Sequence, residues 1–151
     1  MWRWTAIGAA AGWLLLVSLL GAAEPTASGL SWRSLEEAWR LAQAQQKPML
    51  VYISLSGCSY CRMMDQYTLA EPQLRRELEE RFVLARLDGE KHAGWVERWS
   101  IKSYPTLVII SPDNRMMSRM SGFMKSEELW KQLSACCIDR VGERTRENKL
   151  Q

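Results

Sequence analysis

Two spacings of apolar residues alternate along this chain and predict helices and strands in turn. Apolar positions recur every three or four residues between positions 35 and 46, which indicates an amphipathic helix, and Ser34 precedes them as a candidate N-cap. Residues 49–55 form a continuous apolar run, which is typical of a strand buried on both faces. The other predicted strands cover residues 82–88, 106–110 and 116–121, and the other predicted helices cover residues 62–69, 73–80, 92–100 and, with Ser126 as N-cap, the stretch to residue 137.

The order of these elements predicts an α/β fold. Helices and strands alternate until the last two strands, which follow each other through a turn at residues 112–115. Such an alternation is typical of a sheet that is covered by helices on both faces and carries one hairpin at its edge. The chain has 151 residues and no visible internal repeat, so we expect a single domain of this kind.

The N-terminal stretch predicts export. Residues 4–23 carry no charge, and their core at residues 9–20 has the length and character of the apolar region of a signal peptide. The small residues Gly21-Ala22-Ala23 follow, where a signal peptidase would cleave. We therefore predict a cleaved signal peptide at residues 1–23. The alternative is an uncleaved membrane anchor, because about 20 uncharged residues also suffice to span a bilayer.

The rest of the chain divides into three predicted parts. Residues 24–31 are rich in turn formers and predict a linker, residues 32–138 hold the predicted elements, and residues 139–151 are charged and predict a flexible tail. The charges are nearly balanced, with 20 Lys and Arg against 17 Asp and Glu. This balance supplies no basic stripe for a phosphate backbone, so we expect no nucleic-acid partner.

The motif Cys58-Ser59-Tyr60-Cys61 directly follows the first predicted strand and opens a helix. A structural disulfide here would close a minimal loop and constrain the chain very little. A zinc site would need a second Cys-x-x-Cys motif or a Cys/His pair, which the sequence lacks, so we predict no metal. A helix N-terminus favours negative charge, and the thiolate is the reactive form of cysteine. We therefore interpret Cys58 as a catalytic nucleophile and Cys61 as the residue that resolves the mixed disulfide.

Four segments together resemble the thioredoxin superfamily over residues 32–136. They are the first predicted strand, the Cys-x-x-Cys motif, Tyr104-Pro105-Thr106 and Gly122-Phe123. The resemblance implies a thioredoxin-like fold with a central mixed four-stranded sheet and helices on both faces. It also implies that the peptide bond before Pro105 is cis and that this proline faces the redox pair.

The same resemblance implies how a substrate binds. The backbone before the proline is expected to pair with the substrate segment that carries the target cysteine, and the implied substrate-binding residues are Ser59, Tyr60, Tyr104 and Pro105. One position departs from the family pattern. Tyr52 stands where thioredoxin has a buried Asp, so one proposed proton acceptor for Cys61 is missing.

Residues 61–69 resemble the exported, often membrane-linked members of the superfamily, among them the C-terminal domain of the thiol:disulfide interchange protein. This resemblance implies a periplasmic thiol:disulfide oxidoreductase that reduces disulfides in exported proteins. Its expected partners are cysteine-containing exported proteins and a membrane protein that donates electrons, and it is expected to use no cofactor. A tether to the inner membrane is expected only if residues 1–23 are retained.

Three other functions stay open at this level. An oxidant or isomerase would use the same chemistry, since the reduction potentials of this fold span about −270 to −120 mV. A redox-inert interaction module would not need both thiols. A Cu(I) metallochaperone would use methionines together with the cysteines, although methionine more often fills a core or lines an apolar docking surface. The methionines concerned are Met63, Met64, Met116, Met117, Met120 and Met124.

A second pair of cysteines, Cys136-Cys137, lies in the last predicted helix. Together with Leu129 and Leu133 they recur at helical spacing, which predicts a stripe that faces the core. We interpret them as small buried hydrophobic residues and not as a second redox couple, because adjacent cysteines can bond only through a strained ring.

Overall fold

The computed structural model describes residues 29–138. The predicted signal peptide or anchor at residues 1–23 and the predicted tail at residues 139–151 lie outside the described residues, as do residues 24–28 of the predicted linker. Between residues 29 and 138 no helix is both long and apolar enough to cross a bilayer.

The four strands form one mixed sheet in the order β2-β1-β3-β4. They are β1 Met49–Ser54, β2 Val83–Asp88, β3 Thr106–Ile110 and β4 Met116–Ser121. β1 pairs in parallel with β2 and antiparallel with β3, and β3 and β4 form an antiparallel hairpin at the edge. The predicted mixed four-stranded sheet is confirmed.

Five α-helices flank the sheet within the described residues. They are α1 Leu35–Gln45, α2 Ser59–Met63, α3 Pro72–Arg81, α4 Ala93–Arg98 and α5 Ser126–Leu133. α2 continues directly into a π-helical turn at Met64–Thr68, and α5 continues into another at Ser134–Ile138. The helix predicted at residues 62–69 therefore begins earlier, at Ser59, and its second half is π-helical.

The N-terminal caps of three helices confirm one prediction, correct another and reveal a cap that was not predicted. Ser34 caps α1 as expected, because its side chain accepts the N–H of Glu37 at 3.3 Å. Ser126 is not the cap of α5: the carbonyl of Lys125 already accepts the N–H of Leu129 at 2.9 Å, so the helix begins one residue earlier than predicted. Glu71 caps α3 through its own carboxylate, which accepts two backbone N–H groups.

Alternate residues of the strands pack into two apolar cores, one on each face of the sheet. The first core lies under α1 and α4 and includes Ala38, Ala42, Val51, Ile53, Trp99, Val108 and Ile110. The second lies under the π-turn after α2, α3 and α5 and includes Leu50, Tyr52, Met64, Leu74, Leu78, Leu107, Leu129 and Leu133. β1 is buried along its whole length because helices cover both of its faces, which its continuous apolar run predicts.

The end of the chain's described part carries the second cysteine pair. Cys137 is buried with Leu129 and Leu133, and Cys136 is half-buried against the same core, so the predicted stripe is confirmed. The sulfurs of the two cysteines lie 2.9 Å apart, and the Cys136 thiol donates to the Leu133 carbonyl at 3.4 Å.

Candidate active site

The redox pair sits where the central strand passes into a helix. β1 ends at Ser54, Gly57 turns the chain with a φ of 73°, and α2 begins at Ser59. Cys58 is the N-cap residue of α2, and its sulfur accepts the backbone N–H of Cys61 at 3.1 Å. The two cysteines are joined by a disulfide with a Cα–Cα distance of 5.2 Å.

The two sulfurs differ in accessibility. Cys61 is 2% exposed, whereas Cys58 is only partly buried. This asymmetry follows from the helix itself, because the N-cap lies at its open end and Cys61 lies one turn further in, over the sheet. A reacting molecule therefore reaches Cys58 first.

Tyr52 in β1 lies beneath the redox pair. Its hydroxyl donates a hydrogen bond to the carbonyl of Cys61 at 3.1 Å, and its ring stacks on Trp32 with centroids 5.6 Å apart. Burial raises the pKa of Tyr52 well above its ordinary value, the charge of Asp65 raises it further, and Arg86 partly opposes both. The phenol is therefore a neutral hydrogen-bond donor that fixes the helix backbone, and it does not accept a proton from Cys61.

An ion pair lies beside this tyrosine. Arg86 of β2 is the register partner of Tyr52, and its guanidinium carbon lies 5.0 Å from the centroid of the tyrosine ring. The same guanidinium binds both carboxylate oxygens of Asp65, at 2.7 and 3.2 Å. Asp65 lies one helical turn beyond Cys61, so the pair fixes the redox helix to the sheet from a second direction.

The redox helix ends in the π-helical turn Met64–Thr68. The N–H of Leu69 bonds to the carbonyl of Met64 at 2.8 Å, and the buried hydroxyl of Thr68 donates to the carbonyl of Met124, just before α5. π-turns inside helices are rare and occur frequently at functional sites. The hydrogen bond from Thr68 thus attaches the C-terminal end of the redox helix to Met124, a residue of the second core.

The loop around Pro105 lies at the same end of the sheet. The Tyr104–Pro105 peptide bond is cis. Thr106, the next residue, pairs with Ile53 near the end of β1, from which the redox loop emerges. The carbonyl of Pro105 accepts the N–H of Gly122 at 2.8 Å, and the φ of 92° at Gly122 favours glycine.

The redox helix exposes three large apolar or aromatic side chains next to the polar residues Arg62 and Gln66. Tyr60 is 59% exposed and Tyr67 is 68% exposed, with the partly exposed Met63 between them. Ser59 is also exposed, Tyr104 is half-buried, and Pro105 is buried. A contiguous patch of such side chains, and not any single one, is what indicates contact with another molecule.

Residues 35–136 match the family described as the thioredoxin-like domain. This match covers more than half of the chain. The chain belongs to the thioredoxin-like family. With a disulfide-bonded Cys-x-x-Cys motif at the start of its second helix, it is a thiol:disulfide oxidoreductase of that family.

Curated relatives carry the name thiol:disulfide interchange protein DsbD. The protein from Yersinia enterocolitica is 26% identical over 91 residues, and the one from Photorhabdus laumondii is 22% identical over 99 residues. These alignments cover 57% and 62% of this chain. They span only 16% and 17% of the two relatives, so the thioredoxin-like chain corresponds to a small part of each.

Solved structures share the fold. A thioredoxin from Thermus thermophilus is 30% identical with a TM-score of 0.68, and the alignment covers 72% of this chain and 88% of that one. The C-terminal domain of DsbD from Neisseria meningitidis, in its reduced form, is 18% identical with a TM-score of 0.59. That alignment covers 68% of this chain and 93% of the domain.

The thioredoxin-like family pattern did not indicate Arg86, Asp65 or Trp32, although one signal was present. Arg86 is a charged residue inside a strand that is otherwise apolar up to its terminal Asp88, and such a residue needs a partner when the strand is covered by helices. The sequence gives no local indication that this partner is Asp65, 21 positions earlier.

Proposed function

We propose that this chain is an exported thiol:disulfide reductant in which Cys58 attacks the substrate and Cys61 releases it. The observation that carries the proposal is the position of Cys58 at the N-cap of α2. There its sulfur accepts a backbone N–H at 3.1 Å and stays accessible, while Cys61 is buried behind it. Hydrogen bonding from the helix backbone favours the thiolate of Cys58, which is the nucleophilic form.

The reaction proceeds in two exchanges. The Cys58 thiolate attacks one sulfur of a substrate disulfide, so that a mixed disulfide forms, the substrate S–S bond breaks, and the leaving thiolate takes a proton. Cys61 then loses its proton to water or to the departing sulfur and attacks the sulfur of Cys58. The second substrate thiolate leaves, two electrons have passed to the substrate, and the chain carries the Cys58–Cys61 disulfide seen in the structure.

Ser59, Tyr60, Tyr104 and Pro105 form the substrate-binding surface in this proposal. Tyr60 and Ser59 are exposed directly beside the disulfide, so they meet the segments that flank a target cysteine. The loop that contains Tyr104 and Pro105 lies at the same end of the sheet as the redox loop. An extended substrate segment would pair with the backbone before the proline.

Support for the direction and the compartment comes from the relatives and from the N-terminus. The curated relatives are named for thiol:disulfide interchange, and residues 1–23 read as an export signal or anchor. We infer that the chain works in the periplasm. Its substrates there are exported proteins with cysteines, and a membrane protein returns electrons to the Cys58–Cys61 disulfide.

The reduction potential of the Cys58–Cys61 pair tests the direction. The chain with Cys136→Ala and Cys137→Ala is equilibrated in glutathione or dithiothreitol buffers, and the fraction of reduced pair is measured. A potential near or below about −220 mV supports a reductant, and one near about −120 mV identifies an oxidant or isomerase. The absence of any reversible couple would overturn the proposal and favour a scaffold or a metal-binding role.

Single cysteine variants test the two roles. When the reduced chain meets a disulfide substrate, Cys61→Ser is expected to accumulate a mixed disulfide on Cys58, because the resolving thiol is missing. Cys58→Ser is expected to form none, since Cys61 is buried. Cys136→Ser is the matched control and is expected to turn over like the unaltered chain. A mixed disulfide that forms on Cys61 would reverse the assignment.

A further inference from the structure

A cleft of about 780 Å³ opens on the face of the sheet opposite to the redox helix. It lies between α1, α4 and the turn that joins β3 to β4, over the first core. Tyr52 and the redox helix pack against the second core, on the other side of the sheet. The cleft is therefore separate from the active site.

α4, which lines one side of the cleft, is short compared with the strands of the sheet. At 1.5 Å per residue its six residues span about 9 Å, whereas the five residues of β3 span about 17 Å. The end of β3 at Ile110 and the start of β4 at Met116 also line the cleft.

Three tryptophans line the cleft. Trp95 of α4 and Trp99, the C-cap residue of that helix, lie with ring centroids 4.8 Å apart, and Trp39 of α1 is half-buried in the lining. The α4 side is rigid, because Arg119 of β4 donates to the carbonyls of Trp99 and Ser100 at 2.7 and 3.0 Å. Trp39 and Trp95 are half-buried and Trp99 is 8% exposed, so the first two rings supply most of the aromatic contact area to a flat ligand.

The charges at the cleft are mainly positive. Arg40 and Arg98 both line it, and within residues 29–138 neither forms an ion pair with a carboxylate. Arg98 lies over the ring of Trp95, with its guanidinium carbon 5.3 Å from the centroid. Glu36 is the one acidic residue of the lining, and His92 also contributes to it.

We propose that this cleft binds a small organic anion with a flat apolar body. The volume falls in the range of about 300–1,000 Å³ that is typical of small-molecule sites. The tryptophans contact the apolar body, and the guanidinium groups of Arg40 and Arg98 pair with a carboxylate or sulfonate. The site is independent of the thiol chemistry, because the two lie in different layers of the fold.

Calorimetric titration of the full chain with naphthoate and with its neutral analogue naphthalenemethanol tests the proposal. One molecule of naphthoate is expected to bind per chain. Its affinity is expected to be about five- to tenfold higher than that of the alcohol, because partly exposed ion pairs contribute about this much. The double variant Arg40→Gln/Arg98→Gln is expected to reduce naphthoate binding to the level of the alcohol. Trp39→Ala is expected to weaken both ligands alike.

The matched control is Arg76→Gln/Lys131→Gln, which removes two exposed cations away from the cleft and is expected to leave both affinities unchanged. Cys58→Ser/Cys61→Ser is expected to bind naphthoate like the unaltered chain, which separates this site from the redox function. No saturable binding of naphthoate, equal affinity for the two ligands, or an unchanged affinity in the Arg40→Gln/Arg98→Gln variant would each overturn the proposal.

Discussion

Tyr52 reaches the redox helix from the middle of the sheet and holds the carbonyl of the inner cysteine. The phenol is fully buried, stacked on Trp32 and bonded to Cys61. It gives the thiol no proton acceptor. What it supplies is a fixed hydrogen bond to the backbone of Cys61, which holds that residue in place while its sulfur changes partners.

The variant Tyr52→Phe isolates this hydrogen bond. Phenylalanine fills the same space and keeps the stacking, but the Cys61 carbonyl loses its side-chain donor, so the free energy of unfolding is expected to fall by about 1 kcal/mol. Urea unfolding of the oxidised chain, followed by circular dichroism, measures it. Tyr67→Phe is the control, because Tyr67 is largely exposed; equal effects at both positions would contradict the assigned role.

The ion pair between Arg86 and Asp65 allows a second prediction at the residue scale. The two side chains are 30% and 13% exposed, so water screens their attraction only in part. A double-mutant cycle with Arg86→Met and Asp65→Asn is expected to give a coupling energy of about 1–2 kcal/mol.

The chain contains a matched exposed pair for comparison. Arg115 and Asp113 lie at the same N–O distance of 2.7 Å but are 66% and 49% exposed. The same cycle there is expected to give a smaller coupling that high salt removes. If the two cycles agreed in size and in salt dependence, burial would not be what strengthens the pair beside Tyr52.

At the scale of elements, α3 begins on an acidic cap. Both carboxylate oxygens of Glu71 accept backbone N–H groups, from Gln73 at 2.9 Å and Leu74 at 2.6 Å. These bonds, above all the one from Gln73, lower the pKa of Glu71 in the folded chain. A carboxyl group whose folded pKa is lowered stabilises the fold above its unfolded pKa, and that contribution is lost as the pH falls through the folded pKa.

The variant Glu71→Gln is therefore expected to lose stability at neutral pH and to approach the unaltered chain in acid. Urea midpoints at several pH values between neutrality and the acid range measure the difference. Glu80→Gln, on the exposed face of the same helix, is the control and is expected to change little at neutral pH. A Glu71→Gln deficit that stayed constant with pH would show that the amide caps the helix differently but that charge is not involved.

The same elements show what the sequence could predict. The passage from an apolar strand into the Cys-x-x-Cys motif predicted a helix that begins at Cys58, because the apolar run and the motif are adjacent in the sequence. Glu71 lies between the helices predicted at residues 62–69 and 73–80, and its capping role could not be predicted, because a carboxylate that caps its own helix resembles any acidic residue of a loop. The π-turn at Met64–Thr68 leaves no local pattern. The contact of Arg86 with Asp65 depends on the pairing of β1 with β2, which joins distant segments.

At the scale of the whole molecule, the sheet separates the redox site on one face from the aromatic cleft on the other. The redox helix, Tyr52 and the Arg86–Asp65 pair belong to one face, and the aromatic cleft belongs to the other. The cleft could not be predicted from the sequence, because Trp95 and Trp99 have the spacing of ordinary core residues. Their place in the lining depends on the packing of α4 beside α1 and the β3–β4 turn, which joins distant segments of the chain.

The direction of electron transfer has a consequence for the stability of the whole fold. Folding and oxidation form a thermodynamic cycle. The oxidised and reduced chains therefore differ in their free energy of unfolding. This difference equals the difference between the free energies of forming the Cys58–Cys61 disulfide in the folded and in the unfolded chain. Each 30 mV by which the folded pair lies below the unfolded pair adds about 1.4 kcal/mol to the oxidised form. A reductant is therefore expected to unfold at a higher urea concentration with Cys58 and Cys61 oxidised than with both reduced.

Urea midpoints with and without dithiothreitol measure this difference in the chain that carries Cys136→Ala and Cys137→Ala. The control carries Cys58→Ala and Cys61→Ala in the same background. It has no Cys58–Cys61 disulfide to reduce, so its urea midpoint is expected to be the same with and without dithiothreitol. A reduced form that is more stable than the oxidised form would identify a thiol oxidant, which transfers its disulfide to its substrates. The proposed direction would then be reversed, while the pair itself, the hydrogen bond from Cys61 to Cys58 and the exchange chemistry would stand.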